Sequence, residues 1–244
     1  MPRERIDQAL VQRGLAPSRE QAKRLILAGE VSIGDRKITQ PGWQIKADDL
    51  IVVRQPPKFV GRGGFKLEGA LETFGIDVTG IVAMDVGAST GGFTDCLLQR
   101  GAAKVFAFDV GTNQLVWKLR SDPRVVSREK FNVRHMVPED VGQEVDLIVA
   151  DVSFISLTLV LPPALRVLRA GGSAVVLVKP QFELSREEVG HGGIVREAEL
   201  HQKACDKIEA FVKAQPELEW KQITESTIQG TDGNREFLAW FLKR

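Results

Sequence analysis

Cysteine is nearly absent from this 244-residue chain, which carries only Cys96 and Cys205. They stand far apart and match neither a disulfide framework nor the spacing of metal ligands, so a stapled secreted domain is excluded and no metal site is expected. A long apolar run is missing too. The longest charge-free stretch, Val152 to Leu165, is interrupted by Pro162 and Pro163 and is too short to span a bilayer. Behind Met1-Pro2-Arg3-Glu4-Arg5 there is no apolar core of a signal peptide. Neither a membrane partner nor export is expected, and a reducing cytoplasm is the expected compartment. Of only three histidines, His191 lies in the loop Gly190-His191-Gly192-Gly193 and reads as solvent-exposed.

What is present is a soluble, globular composition, 43% hydrophobic and 27% charged, with an uneven charge distribution. Residues 1–66 hold 13 basic against 7 acidic residues, a net +6, and the remainder carries the opposite excess, leaving +1 overall. A basic front on a mildly acidic body suits a polyanion gripped at the N-terminal end, although an ordinary solvated face explains the charge equally well.

Ile6, Ala9 and Leu10 follow helical spacing from Arg5 to Gln12, and Gly14 ends that run. Ser18, with Gln21 three positions on, reads as the cap of a second helix, lined by Ala22, Leu25 and Ile26 and closed by Gly29. Short strands follow at Val31-Ser32-Ile33, Lys37-Ile38-Thr39 and Asp49 to Val53, with a Gly34-Asp35 turn. The whole resembles the S4 domain of RNA-binding proteins. That resemblance implies RNA contact through the basic helix face, here Arg3, Arg5, Arg19, Lys23 and Arg24. Gln55-Pro56-Pro57-Lys58 lacks apolar periodicity and marks the boundary.

In the larger part, the apolar run Ile81 to Val86 leads into Gly87-Ala88-Ser89-Thr90-Gly91-Gly92-Phe93 and then a helix. Glycines let the backbone turn sharply and approach a ligand. A second strand, Lys104 to Phe108, ends in Asp109, about twenty residues on, where a carboxylate can accept ribose hydroxyls. The strict dinucleotide fingerprint is absent. The pattern instead is similar to motif I of the class I S-adenosylmethionine methyltransferases. That likeness implies cofactor contacts from Asp85, Gly87, Ser89, Thr90, Gly91, Gly92, Phe93, Asp109, Val110 and Asp151, with Asn132 beside the adenine.

Two further strands end in chemistry: Asp146 to Asp151 in a carboxylate, and Ser173 to Lys179 in an amine. Lys66 opens a helix, and Glu236 lies in an alternating final strand, Gly233 to Trp240. The order Lys66, Asp151, Lys179, Glu236 resembles the tetrad of the FtsJ-like ribose 2′-O-methyltransferases. Six blocks, among them Arg62 to Leu67, Asp151 to Ser156, Lys179 to Glu183 and Gly192 to Arg196, resemble the TlyA group, also called hemolysin A.

A ribose hydroxyl is a poor nucleophile, so the chemistry needs a base and in-line placement. Lys179 is the candidate base and must shed its own proton to serve. Asp151 and Glu236 orient the lysines, and Lys66 steers the 2′-oxygen. A plain Lys179–Glu236 ion pair competes with this reading. Trp117, Trp220 and Trp240 are expected in the core, whereas Phe154 and Phe182 follow the catalytic strands and suit base stacking.

The expected architecture is a small α+β S4-like domain (1–58), a linker (59–60) and an α/β, Rossmann-like, doubly wound methyltransferase domain (61–244) with an antiparallel last strand. The expected cofactor is S-adenosylmethionine and the expected partner is ribosomal RNA or a ribosomal subunit, contacted also by Arg62; DNA lacks the required hydroxyl. Two other readings are a membrane-active hemolysin and a non-catalytic ribosome assembly factor.

Overall fold

The computed structural model describes residues 3–54, 57–230 and 232–244; Gln55, Pro56 and the His191 side chain, all part of expectations above, lie outside the described residues. The chain divides into two compact units, Met1–Lys58 and Phe59–Arg244.

In the first unit, helices α1 (Ile6–Gln12) and α2 (Arg19–Leu27) form where the apolar spacing placed them. Ser18 caps α2 by accepting a hydrogen bond from the Gln21 amide at 3.2 Å. Ile6, Ala9, Leu10, Ala22 and Ile26 pack against Val31, Ile38 and Ile51 to make one small core. The sheet is antiparallel, with β2 (Val31–Ile33) between β3 (Arg36–Ile38) and β5 (Ile51–Val53). A second ladder, unforeseen in the sequence, pairs β1 (Arg3–Arg5) with β4 (Gln44–Lys46) and buries Ile45. Three-residue strands without apolar alternation carry no periodic signal, which is why this pair was missed.

The second unit opens with helix α3 (Gly63–Phe74) and is built on a seven-stranded sheet. Its strands are β6 (Val82–Val86), β7 (Lys104–Phe108), β8 (Val125–Arg128), β9 (Val145–Ala150), β10 (Leu168–Val178), β11 (Leu218–Glu225) and β12 (Phe237–Lys243). They lie in the order β11-β12-β10-β9-β6-β7-β8. The five from β10 to β8 are parallel, and β12 runs antiparallel to both neighbours.

Both faces of the sheet are covered, and residues alternate between the two cores. Met84, Val86, Phe106, Phe108, Ile148 and Ala150 face helices α6 (Leu157–Leu165) and α8 (Ala198–Lys213). Ala83, Val105, Ala107, Leu147 and Val149 face α3, α4 (Gly92–Gln99) and α5 (Trp117–Arg120). A sheet buried on both sides reads as continuous apolar runs, the pattern these strands carry. Phe59 is buried in the second core, against α3.

The chain runs outward from β6 through β7 to β8 and then returns to the other side of β6 as β9. That reversal opens a crevice at the carboxyl ends of β6, β7, β9 and β10.

Candidate active site

The crevice begins at the turn after β6. Gly87 and Gly91 adopt φ of 83° and 102°, in the left-handed region that side chains disfavour. A Cβ on Gly87 would come within 2.4 Å of the Asp151 carbonyl oxygen, so the turn packs directly on the end of β9. Asp109, at the end of β7, fastens it: Oδ2 accepts from the Ser89 amide at 2.8 Å and Oδ1 from the Gly111 amide at 2.6 Å.

A cavity of about 350 Å³ lies over these strand ends. Phe108, Val110 and Phe131 give it apolar walls, and Asp109, Asn132 and Asp151 give it polar ones. Asn132 Oδ1 accepts from the Arg134 amide at 3.1 Å, and its NH₂ makes no hydrogen bond among the described residues. Apolar walls, a carboxylate and an amide donor together suit an adenosine group.

A second cavity, of about 210 Å³, adjoins the first. Lys66, Asp151, Lys179 and Glu236 all line it, together with Arg62, Thr90, Gly92 and Phe93. Gly87, Ser89, Asp151 and Ser153 line both cavities, so the two form one groove with Asp151 at the junction. The walls of the second are more polar, as an acceptor site for a hydroxylated substrate requires.

The four charged groups form two pairs. Lys179 Nζ lies 2.6 Å from Asp151 Oδ1 and donates to Ser153 Oγ at 3.0 Å. Lys66 Nζ donates to Glu236 Oε2, both side chains being almost wholly buried. The competing Lys179–Glu236 pair is therefore corrected: Glu236 belongs to Lys66. Glu236 also lies one residue before β12 and not within the strand, at the point where the chain enters the sheet.

Asp85 is placed differently from the rest of the glycine-turn set. It is fully buried, lines neither cavity, and accepts from Thr94 Oγ1 at 2.6 Å, while its Oδ1 has no partner. Burial pushes its carboxyl up to about 7; the Thr94 hydrogen bond opposes the rise, and the Asp151 and Asp109 charges add to it. Its position, one layer beneath the turn, makes it a tie to the start of α4.

Three neighbours carry more of the site than the sequence indicated. Ser153 holds the Lys179 amine and lines both cavities. Phe154 is 91% exposed, holds a positive φ of 63° and lies 5.1 Å from the Phe182 ring. Glu183, in the short helix α7 (Pro180–Glu183), is buried and accepts from Ser156 Oγ at 2.6 Å and the Leu157 amide at 2.7 Å. It thereby clamps the loop after β9 to the segment that follows Lys179, with Lys207 Nζ 3.0 Å away as its counter-charge. Phe154 was legible from its place after a strand end, whereas the contacts of Ser153 and Glu183 depend on two loops meeting and leave no spacing pattern.

Trp117 corrects another expectation. It is 76% exposed, because in the short α5 it is Leu119, with Leu115 before it, that fills the core. Trp220 and Trp240 do pack against the cores as partly buried residues. On the first unit, Lys23 is exposed, Arg24 pairs with Glu20 at 2.8 Å, and Arg5 and Arg19 both bind Asp7.

Residues 59–243 match the family model of the FtsJ-like methyltransferases, and residues 4–51 match that of the S4 domain. The chain belongs to the FtsJ-like methyltransferase family. Within that family its relatives are of the TlyA group. The 16S/23S rRNA (cytidine-2′-O)-methyltransferase TlyA of Mycobacterium tuberculosis is 46% identical over 98% of this chain and 89% of its own length. Hemolysin A of Brachyspira hyodysenteriae is 44% identical over 98% of this chain and 99% of its own. A solved protein structure from Streptococcus thermophilus, 46% identical, covers 100% of this chain and 89% of its own with a TM-score of 0.74. An S-adenosylmethionine dependent methyltransferase from Mesorhizobium loti, 14% identical, covers 75% of this chain and 100% of its own with a TM-score of 0.52, a likeness of fold alone.

Proposed function

We propose that this protein transfers the methyl group of S-adenosylmethionine to a ribose 2′-hydroxyl of ribosomal RNA, with the S4 domain holding the RNA. The observation that carries the reading is the junction: Lys179 and Asp151, paired at 2.6 Å, stand where an adenosine-shaped cavity meets a polar acceptor cavity. The relatives named as rRNA 2′-O-methyltransferases support the same substrate.

The residues present fit the cofactor. Gly87 keeps the turn seated on the end of β9 where it lines the cavity, Asp109 presents its remaining lone pairs to a ribose, and Asn132 offers an amide to a base edge. Bound there, the cofactor supplies a methyl group on a positively charged sulfur, which departs as a neutral thioether. Lys179, once its amine has released its own proton to solvent, would accept the proton of the 2′-hydroxyl while that oxygen bonds to the methyl carbon. Asp151 and Ser153 fix the direction of the amine, and Lys66, held by Glu236, donates to the ribose oxygens and sets their approach. Phe154, exposed beside Phe182, is a stacking surface for the target base, and Arg62, which lines the acceptor cavity, is a contact for the RNA backbone.

Use of a 2′-hydroxyl as nucleophile excludes DNA as the acceptor, and a ribosomal substrate supports a cytoplasmic site of action. For the hemolysin reading, no helix among the described residues is long and apolar enough to cross a membrane. The intact tetrad disfavours a non-catalytic factor. The deciding experiment is transfer of tritium from labelled cofactor to 16S and 23S rRNA. Wild type should label the RNA on a ribose oxygen, and Lys179→Ala should bind cofactor yet fail to label. Undiminished labelling by Lys179→Ala overturns the mechanism.

A further inference from the structure

Asp7 is fully buried in the first unit, yet it is charged and faces two cations. Its carboxylate accepts from Arg5 Nε at 3.0 Å and Nη2 at 3.1 Å, and from Arg19 Nε at 2.9 Å. Arg5 and Arg19 remain 40% and 51% exposed. The paired guanidiniums hold the Asp7 carboxyl down to about 2, with Arg5 the larger influence and burial opposing it. The carboxylate is therefore ionised at any physiological pH.

The geometry leaves most of each guanidinium unspent. Of the five N–H donors that each carries, Arg5 spends two and Arg19 one on Asp7, and neither has another partner among the described residues. Beside Arg5 lies Gly42, where an added Cβ would stand at ordinary contact distance, 3.5 Å from Nη1. Two planar forks thus come from different elements, β1 and the first turn of α2, and one buried acid fixes both.

Free arginines lose substantial rotamer freedom when they grip a phosphate. Arginines already held in place have lost it on folding. Resting on the RNA reading above, we propose that Asp7 is a positioning residue that locks Arg5 and Arg19 into a two-pronged clamp for backbone phosphates of structured RNA. Arg5 and Arg19 touch the phosphates; Asp7 acts only through them.

The proposal runs against simple charge counting, which makes it testable. Asp7→Asn removes a negative charge from a basic RNA-binding face, and electrostatics alone then demands tighter binding. The clamp demands the opposite. Affinity of the full-length protein for 16S and 23S rRNA is measured across a salt series for Asp7→Asn, for Arg5→Ala/Arg19→Ala, and for the triple variant, each with a thermal unfolding curve.

Asp7→Asn is expected to weaken binding about five- to tenfold, the cost of ordering two arginines anew. The double variant should weaken it and also flatten the slope of log K against log salt by about 0.7–0.9 for each phosphate released. Adding Asp7→Asn to the double variant should then cause no further loss. Unchanged or tighter binding by Asp7→Asn, with the double variant impaired, overturns the clamp and leaves the RNA reading standing. A further loss in the triple variant overturns it too, because Asp7 would then act through the fold. Wild-type affinity in the double variant overturns the assignment of this face to RNA.

Discussion

Lys179 Nζ stands 2.6 Å from Asp151 Oδ1, and Asp151 is also where the two halves of the groove meet. The amine is thus oriented by a residue that touches the cofactor side. Lys179→Ala should lower the rate of methyl transfer by about 10²–10⁴-fold, the usual worth of a positioned acid–base group, with cofactor affinity unchanged. Asp151→Asn should lower the rate and also alter cofactor affinity. Single-turnover methylation alongside calorimetric titration of the cofactor separates the two effects.

Phe154 pays a conformational cost at φ 63° while leaving its ring 91% exposed. Strain kept without burial points to a use outside the folded core. Phe154→Gly should keep the unfolding free energy within about 1 kcal/mol, since glycine accepts the left-handed backbone. The same change should raise KM for RNA about 5- to 150-fold, the range of one lost base stack. Steady-state methylation kinetics and a denaturant titration measure both.

Asp85 makes stability depend on pH in an uncommon direction for a carboxylate. Its folded value of about 7 lies above the ordinary 3.8, so the folded state holds a proton that the unfolded chain has already released. Its contribution is complete below about pH 4 and is lost as the pH rises through about 7. Asp85→Asn, which carries no charge, should therefore gain thermal midpoint relative to wild type as the pH rises from 5 to 8. The gap should amount to a few degrees, at about 2–4 °C per kcal/mol for a domain of this size. Cofactor-free unfolding scans at the two pH values test the sign.

Gly87 has neither the space nor the backbone angle for a side chain, with φ 83° and a prospective Cβ 2.4 Å from the Asp151 carbonyl. Gly87→Ala should destabilise by about 1–3 kcal/mol and displace the end of β9. Cofactor titration should show at least a tenfold loss. Gly142→Ala is the control, since it shares a positive φ of 74° but meets nothing within 4 Å and lines neither cavity.

The sequence made the doubly wound sheet legible because four of the five parallel strands are apolar runs that end just before a functional segment: Val86 before the glycine turn, Phe108 before Asp109, Ala150 before Asp151 and Val178 before Lys179. Strand ends also declared the crevice, since that is where such sheets bind ligands. Pairing was not legible. Whether Glu236 met Lys66 or Lys179 depended on β12 inserting between β10 and β11, a choice that no local pattern records. Depth was equally hidden: Asp85 and Asp109 both end or nearly end strands, yet one is sealed beneath the turn and the other lines the cavity. Trp117 misled because residue type predicts burial only on average, and a single helical turn cannot bury every large side chain that it carries.

The insertion of β12 has a consequence for how the enzyme comes into being. Lys66 and its partner Glu236 are separated by 170 positions along the chain. The glycine turn, Asp109 and Asn132 all precede β12 by about a hundred residues or more, so a growing chain acquires the elements of a nucleotide pocket long before it acquires Glu236. Lys66 gains its carboxylate partner only when the hairpin of β11 and β12 joins the sheet. The Lys66–Glu236 pair is thus a contact that only the assembled sheet supplies.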